Sequence, residues 1–310
     1  MDEEKILALY FSSSEMKTCT RSYEGKPMKN SKISNRFLIL LLGFCLISNR
    51  TFADSPTLQK ILKSKTLTIS VNQYYEPFYI SDPNPTSPGL DVEIAQEYAK
   101  FLGVSLKILP LKDFDEHATR LEKGDTQIAI AGLSANLNRF RRVYFTDPYL
   151  ITSPAGLVNR QILPPEPEGQ IITSVPFRSL ADLSTLSGIS FSVRANSPNH
   201  EWLKKRFAKA PIYSYLDDFR ALNELRKNNV NVYVADGFRI QALLQKEPAL
   251  KSNYLPLLSP VQEEHIAMAV YPGDTEFIYH LNFFIREIRK NGFLNSLTYK
   301  YFSTSEWVKR

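Results

Sequence analysis

The sequence predicts an α/β protein of two lobes with a cleft between them. Three observations carry this expectation. Strands and helices alternate over 67–131, the chain breaks at the Pro-rich stretch 164–169, and a second alternation of similar size runs over 180–245. A β-α-β-α-β rhythm is that of a mostly parallel sheet with helical crossovers. Two such units joined by a short strand leave a cleft between them. No sequence repeat relates the two halves.

The elements follow in order. Leu67-Thr68-Ile69-Ser70-Val71 alternates and is β-branched, a first strand. A Pro-rich loop over 82–89 leads to Leu90–Leu102, where Ile94, Ala95, Tyr98 and Leu102 recur at helical spacing before Gly103 stops the helix. Val104–Leu109 reads as a strand, Phe114–Lys123 as a helix ending at Gly124, and Ile128–Ala131 as a buried strand. Pro154–Val158 reads as a connecting strand. In the second unit, helices are expected at Leu180–Leu186, Glu201–Ala208, Phe219–Lys227 and Asp236–Gln245, with strands at Ile189–Val193 and Val230–Ala235. The tail offers a strand over His265–Val270, an amphipathic helix over Asp274–Lys290 ended by Asn291-Gly292, and a last helix over Leu294–Tyr301.

Charge and cysteine usage narrow the classes. The formal net charge is +6, from 38 basic and 32 acidic residues. Eight of the basic and five of the acidic residues lie in 1–53, leaving a balance that does not argue for nucleic acid. Lys204-Lys205-Arg206 reads as a solvated helix face. Lys29, Lys32 and Arg36 precede an apolar core over Phe37–Ile47, followed by Thr51-Phe52-Ala53. That is the three-part pattern of a secretory signal over 28–53, too short for a comfortable membrane span. Residues 1–27 are polar and stand in front of it, so Met28 is the expected true start and 1–27 a mis-called extension. Cleavage after Ala53 leaves 54–310 without cysteine, which excludes disulfides and thiolate metal sites. A lipid anchor on Cys45 is the weaker alternative, because the large Phe44 precedes it.

The most informative stretch is Gly132-Leu133-Ser134-Ala135-Asn136-Leu137-Asn138-Arg139, followed by Phe145-Thr146-Asp147-Pro148-Tyr149. A glycine and a small hydroxyl at a strand's end leave backbone N–H groups free for a ligand. An arginine five residues beyond the serine can return to the same point, and its planar fork suits a carboxylate. This is a grip on a small acid, with no catalytic centre implied.

In order along the chain, these pieces resemble the family-3 extracellular solute-binding proteins of polar amino-acid ABC importers. The resemblance runs from Leu67 to the end. It is carried by Tyr75-Glu76-Pro77-Phe78, Gly89-Leu90-Asp91-Val92-Glu93, Gly132–Arg139, Phe145–Tyr149, Val232–Asp236 and Tyr271-Pro272-Gly273-Asp274. It implies a type II periplasmic binding-protein fold: two α/β lobes joined by a two-strand hinge. Lobe 1 would be 54–158 plus 266–310 and lobe 2 would be 159–265, with crossings near Pro154–Val158 and Ile266–Val270. It implies a monomer without cofactor or metal that closes on a small-molecule ligand in the periplasm and meets an ABC permease in the inner membrane.

The resemblance also implies roles. Arg139 would grip an α-carboxylate, helped by the backbone of Gly132 and the hydroxyl of Ser134. Asp236 would accept the α-ammonium, Tyr75 and Phe114 would sandwich the side chain, and Asn72 would touch its far end. Arg194, Ser197 and Asn199 would line the facing wall. A zwitterion leaves water only if both charges find buried partners. This sequence departs from the family pattern at Asn136, where threonine is usual, and at Asn196-Ser197-Pro198. With Asn72 neutral and Arg194 cationic, an acidic or neutral polar ligand is favoured over a basic one.

Plainer roles compete. Arg139 could pair with Asp147, Asp236 could be only a helix N-cap, Tyr75 and Phe114 ordinary packing, and Arg194 a solvated charge. Ser134, Asp236 and His265 fall in the order of an α/β-hydrolase triad, yet Asn136 stands where the nucleophile elbow needs glycine. A lyase similar to cyclohexadienyl dehydratase would need an acid in the cleft, for which Glu76 is the nearest candidate. A sensor acting on a membrane receptor is the third alternative. The histidines show no metal-ligand spacing.

Overall fold

A computed structural model describes residues 55–165 and 177–309. The expected start extension, the signal segment and Cys45 lie outside the described residues, as does most of the Pro-rich break.

The first lobe begins with a helix absent from the sequence expectation, α1 (Pro56–Ser64). Its start is built by Ser55, whose hydroxyl accepts from the Leu58 N–H at 3.0 Å, with Pro56 at the first helical position. β1 (Thr66–Asn72), α2 (Leu90–Leu102), β2 (Ser105–Leu111), α3 (Phe114–Glu122) and β3 (Ile128–Ala129) follow, close to the expected positions. Asp113 caps α3 by accepting from the Glu116 N–H at 3.0 Å. A short helix, α4 (Leu137–Phe140), and β4 (Tyr144–Phe145) complete this part. β1 lies between β2 and β3, parallel to both.

The chain then crosses through β5 (Leu150–Thr152) into the second lobe. There β6 (Pro154–Asn159), β7 (Phe191–Arg194), α5 (Pro198–Arg206), β8 (Ile212–Tyr215), α6 (Asp218–Arg226), β9 (Val232–Asp236), α7 (Gly237–Lys246), α8 (Leu250–Asn253) and β10 (Tyr254–Leu257) build a sheet ordered β10-β6-β9-β7-β8. The stretch expected as a helix at Leu180–Leu186 is a 3₁₀ helix over Leu180–Thr185. The chain returns through β11 (Glu264–Ile266) to β12 (Ala269–Val270), α9 (Thr275–Lys290) and α10 (Phe293–Ser303). The first sheet then reads β2-β1-β3-β12-β4.

The crossings differ from the expected ones. β5 and β11 pair with each other as a separate antiparallel ribbon, with Thr152 opposite Glu264 and Leu150 opposite Ile266. Pro154–Asn159 is instead an interior strand of the second sheet, and all six of its residues are buried. The switch falls at Ser153, whose carbonyl accepts from the Gly237 N–H at 2.9 Å. An apolar run buried on both faces looks the same in sequence whether it crosses between lobes or sits inside one. The expected single strand His265–Val270 is divided because Ala267 and Met268 turn to other partners. The Ala267 N–H donates to the Leu133 carbonyl, and the Met268 carbonyl accepts from Thr146 N–H, each at 3.0 Å.

Each lobe has its own core. Ile69, Ile94, Tyr98, Phe277 and Ile285 anchor the first, and Leu157, Leu225, Tyr233 and Ile240 part of the second. Helix α7 bridges them: Ala242 is buried within the first lobe's core, and Phe238 stacks on Phe302 at 4.3 Å between centroids.

Candidate binding site

The strand ends of the two sheets and the returning strand β11 surround a cavity of about 1080 Å³. Asn72, Tyr75, Phe114, Gly132, Ser134, Arg139, Arg194, Ser197, Asn199 and Asp236 all line it. Ligands in open α/β sheets meet the protein at such carboxyl strand ends.

Gly132 turns the chain out of the first sheet at φ +57°. A Cβ there would sit 2.6 Å from Cε1 of Tyr75, so only glycine lets the aromatic ring approach this loop. The Gly132 N–H is not free for a ligand. It donates to Asp91 Oδ2 at 2.8 Å, while the Tyr149 hydroxyl donates to Asp91 Oδ1 at 2.7 Å. Asp91 is fully buried, and burial pushes its carboxyl up to about 7 against those two hydrogen bonds. The expected help of the Gly132 amide to Arg139 is thereby corrected: this amide fixes the loop from behind.

Asn136 is the N-cap of the short helix that carries Arg139. Its Oδ1 accepts from the Arg139 N–H at 3.0 Å and starts α4. Arg139 then folds back so that Nη1 donates to the Ser134 carbonyl at 2.9 Å, with its guanidinium 4.9 Å from the Phe114 ring centroid. Burial lowers its pKa to about 10, the nearby charge of Arg194 adds to the shift, and Glu264 and Asp115 oppose it. Asp147 pairs with Arg286 at 3.2 Å, so the competing surface pairing of Arg139 is not made.

Asp236 holds two positions at once. Its Oδ1 accepts from the Arg239 N–H at 2.9 Å and caps α7, and its Oδ2 accepts from the Tyr75 hydroxyl across the cleft. Burial pushes this carboxyl up to about 7. Arg194 lies 5.1 Å over the Tyr75 ring and 3.7 Å from Asp218 Oδ2, so its charge is shared with a buried carboxylate of its own lobe. Ser197 is occupied as a cap, accepting from the His200 N–H at 3.2 Å and donating to the Arg194 carbonyl at 2.7 Å. Asn72 Oδ1 accepts from the Tyr74 N–H at 3.1 Å, and Asn199 Oδ1 is buried without a partner.

The sequence reading missed Glu264. Its backbone belongs to the returning strand, its side chain lines the cavity, and its Oε1 accepts from the Ser134 hydroxyl. Burial raises its pKa. The signal available in the sequence was an acid just before the apolar run 266–270, but Glu263-Glu264 there reads as solvated loop. The hydrolase arrangement does not form: Ser134 faces Glu264, and His265 is exposed beside Glu263 at 3.5 Å. Glu76 lies off the cavity wall, paired with Lys246 at 2.5 Å. No group of metal-ligating side chains is found among the described residues. Nor is any helix among them long and apolar enough to cross a membrane.

Two α/β lobes joined by a paired-strand hinge around a polar, charged cavity define a two-lobed binding protein. The chain belongs to the bacterial extracellular solute-binding proteins, family 3, which residues 67–304 match. It is 24% identical over 279 residues to the L-cystine-binding protein TcyJ of Escherichia coli (strain K12), covering 89% of this chain and 98% of that one. It is also 24% identical over 254 residues to a cyclohexadienyl dehydratase of Pseudomonas aeruginosa, covering 78% and 84%. Among solved structures, the binding component of an ABC transporter from Wolinella succinogenes, complexed with lysine, superposes with a TM-score of 0.67 at 22% identity. That superposition covers 79% of this chain and 99% of the other.

Proposed function

We propose that this protein captures a small amino acid, or a closely related carboxylate, outside the inner membrane and presents it to an ABC permease. The observation that carries the reading is the charge pattern of the cavity. Two arginines, Arg139 and Arg194, stand with the buried Asp236 and the half-buried Glu264 around one space. That pattern is the counter-image of a zwitterion, which gives up its hydration only to buried partners of both signs. Arg139 takes the carboxylate with the Ser134 hydroxyl, Asp236 takes the ammonium, and Tyr75 and Phe114 flank the side chain. Asn72, Arg194, Ser197 and Asn199 form the selective wall. The lobes, which among the described residues are 55–152 plus 264–309 and 153–165 plus 177–263, close about the β5/β11 ribbon. Export by the N-terminal signal, action as a monomer and delivery to a permease complete the proposal.

The cystine in the name of one relative supports an amino acid as the ligand without choosing one. The test is a thermal-shift screen of the purified protein against the common L-amino acids, L-cystine and small dicarboxylates. A ligand that binds only the folded state raises the melting temperature by mass action. Stabilisation by an amino acid, recovered chemically unchanged, supports the reading; stabilisation by none of them removes it.

One observation favours a second reading as a lyase. Two carboxyls with raised pKa values face the cavity, which is the state a general acid requires. A related dehydratase shares the family. Proton NMR of the screened acids after incubation separates the two readings, since a lyase consumes its ligand.

A further inference from the structure

We infer that Glu264 is a specificity-determining residue: with Asp236 it forms a two-carboxylate cage for the ligand's ammonium group, supplied by the hinge strand. This rests on the amino-acid reading of the same cavity. The geometry points to it in three ways. Glu264 Oε1 is engaged by the Ser134 hydroxyl, but Oε2 is buried with no partner. A buried acceptor left empty is costly, and a ligand's donor can relieve it once the side chain turns its free oxygen toward the cavity. Asp236 is near enough that the Glu264 charge raises its pKa, and the cavity lies in front of both. Finally, a primary ammonium carries three donors. Asp236 has committed Oδ1 to the α7 cap and shares Oδ2 with Tyr75, so it cannot satisfy that ammonium alone.

The surrounding charges make the cage workable. Arg139 from α4 and Arg194 from β7 both act on Glu264, and Asp236 faces it from β9. The arginines hold the pair of acids in place and leave a carboxylate site on their own side. Burial pushes both carboxyls up, and the Glu264 charge adds to the shift of Asp236, so the pair holds a proton until an ammonium takes its place. An arriving ammonium replaces that proton, which passes to the buffer. Because Glu264 sits opposite Thr152 in the hinge ribbon, the ligand's charge is read at the point where the lobes pivot.

The test compares the best-stabilising amino acid of the screen with its des-amino carboxylic acid, on the wild-type protein and on Glu264→Gln and Glu264→Asp. Glu264→Gln keeps the shape and an acceptor for Ser134 but removes the charge. The expected result is that wild type prefers the amine and that Glu264→Gln loses about 10- to 100-fold of this preference. Its affinity for the des-amino acid should change little, and Glu264→Asp should fall between. Calorimetry at pH 7 in buffers of different ionisation enthalpy should show proton release on binding to wild type, and less in Glu264→Gln. An unchanged preference in a folded Glu264→Gln overturns the cage while leaving the amino-acid reading intact. If Glu264→Gln does not fold, an unchanged preference in Glu264→Asp with no proton release in wild type overturns it equally. A wild-type protein that binds no amino acid overturns both.

Discussion

Asp236 illustrates how one side chain is asked to serve a fold and a site together. As the N-cap of α7 it accepts a backbone N–H, a role asparagine fills as well as aspartate. As a cavity carboxylate it supplies a charge, which asparagine does not. Asp236→Asn is therefore expected to leave the melting temperature within a few degrees of wild type while amino-acid affinity falls by about 10- to 100-fold. Asp236→Ala is expected to lose affinity similarly and about 1 kcal/mol of stability besides, measured by urea denaturation. A tight-binding Asp236→Asn would reduce the residue to its cap. Arg139 separates more cleanly, because its head only contacts the Ser134 carbonyl and the Phe114 face. Arg139→Ala should abolish binding in a protein whose far-ultraviolet circular dichroism is unchanged; near-normal affinity there would remove the carboxylate grip altogether.

At the scale of elements, Asp91 ties three of them together: it sits in the first turn of α2, holds the Gly132 loop and receives the hydroxyl of Tyr149 just before β5. Its raised pKa, about 7, means that the folded protein keeps a proton that the unfolded chain gives up near the ordinary carboxylate range. Its contribution to stability is thus fully present at acid pH and is lost as pH rises from about 4 to about 7. His117, pulled down to about 4 mainly by burial, runs the other way over much of that window, so the wild-type curve alone is uninformative. The difference between wild type and Asp91→Asn isolates the aspartate. Relative to wild type, the variant should gain on the order of 2 kcal/mol between pH 5 and pH 8 by denaturant unfolding. A difference independent of pH would show that Asp91 is ionised throughout. The sequence made most of the longer strands and the helix stops legible because glycines, caps and apolar periods are local signals, while most of the cavity residues were named through the family resemblance. It did not reveal that Asp91 takes the Gly132 amide, that Ser153 marks the lobe switch, or that Glu264 turns inward. Each of those depends on partners tens of residues or more away along the chain, and no local pattern encodes them.

For the whole molecule, the proposed closure of the lobes turns attention to α7, which packs on the first lobe. Its apolar residues pack there, with Phe238 stacked on Phe302 and Ala242 in the first lobe's core. Polar ties run from the same helix to the segment after β1. The Arg239 guanidinium donates to the Glu76 carbonyl, and Lys246 Nζ lies 2.5 Å from Glu76 Oε2. These ties, with the Tyr75–Asp236 bond, link the two lobes. The Lys246–Glu76 pair is partly exposed, so it biases closure modestly. Reversing its charge should turn the bias round. Lys246→Glu is expected to raise the ligand-free radius of gyration in small-angle X-ray scattering and to weaken amino-acid binding a few-fold. The ligand-saturated radius should match that of wild type, because the ligand's own charges then bridge the lobes. Adding Glu76→Lys to Lys246→Glu should restore both values. An unchanged ligand-free radius together with unchanged affinity would mean that the polar ties do not act on closure.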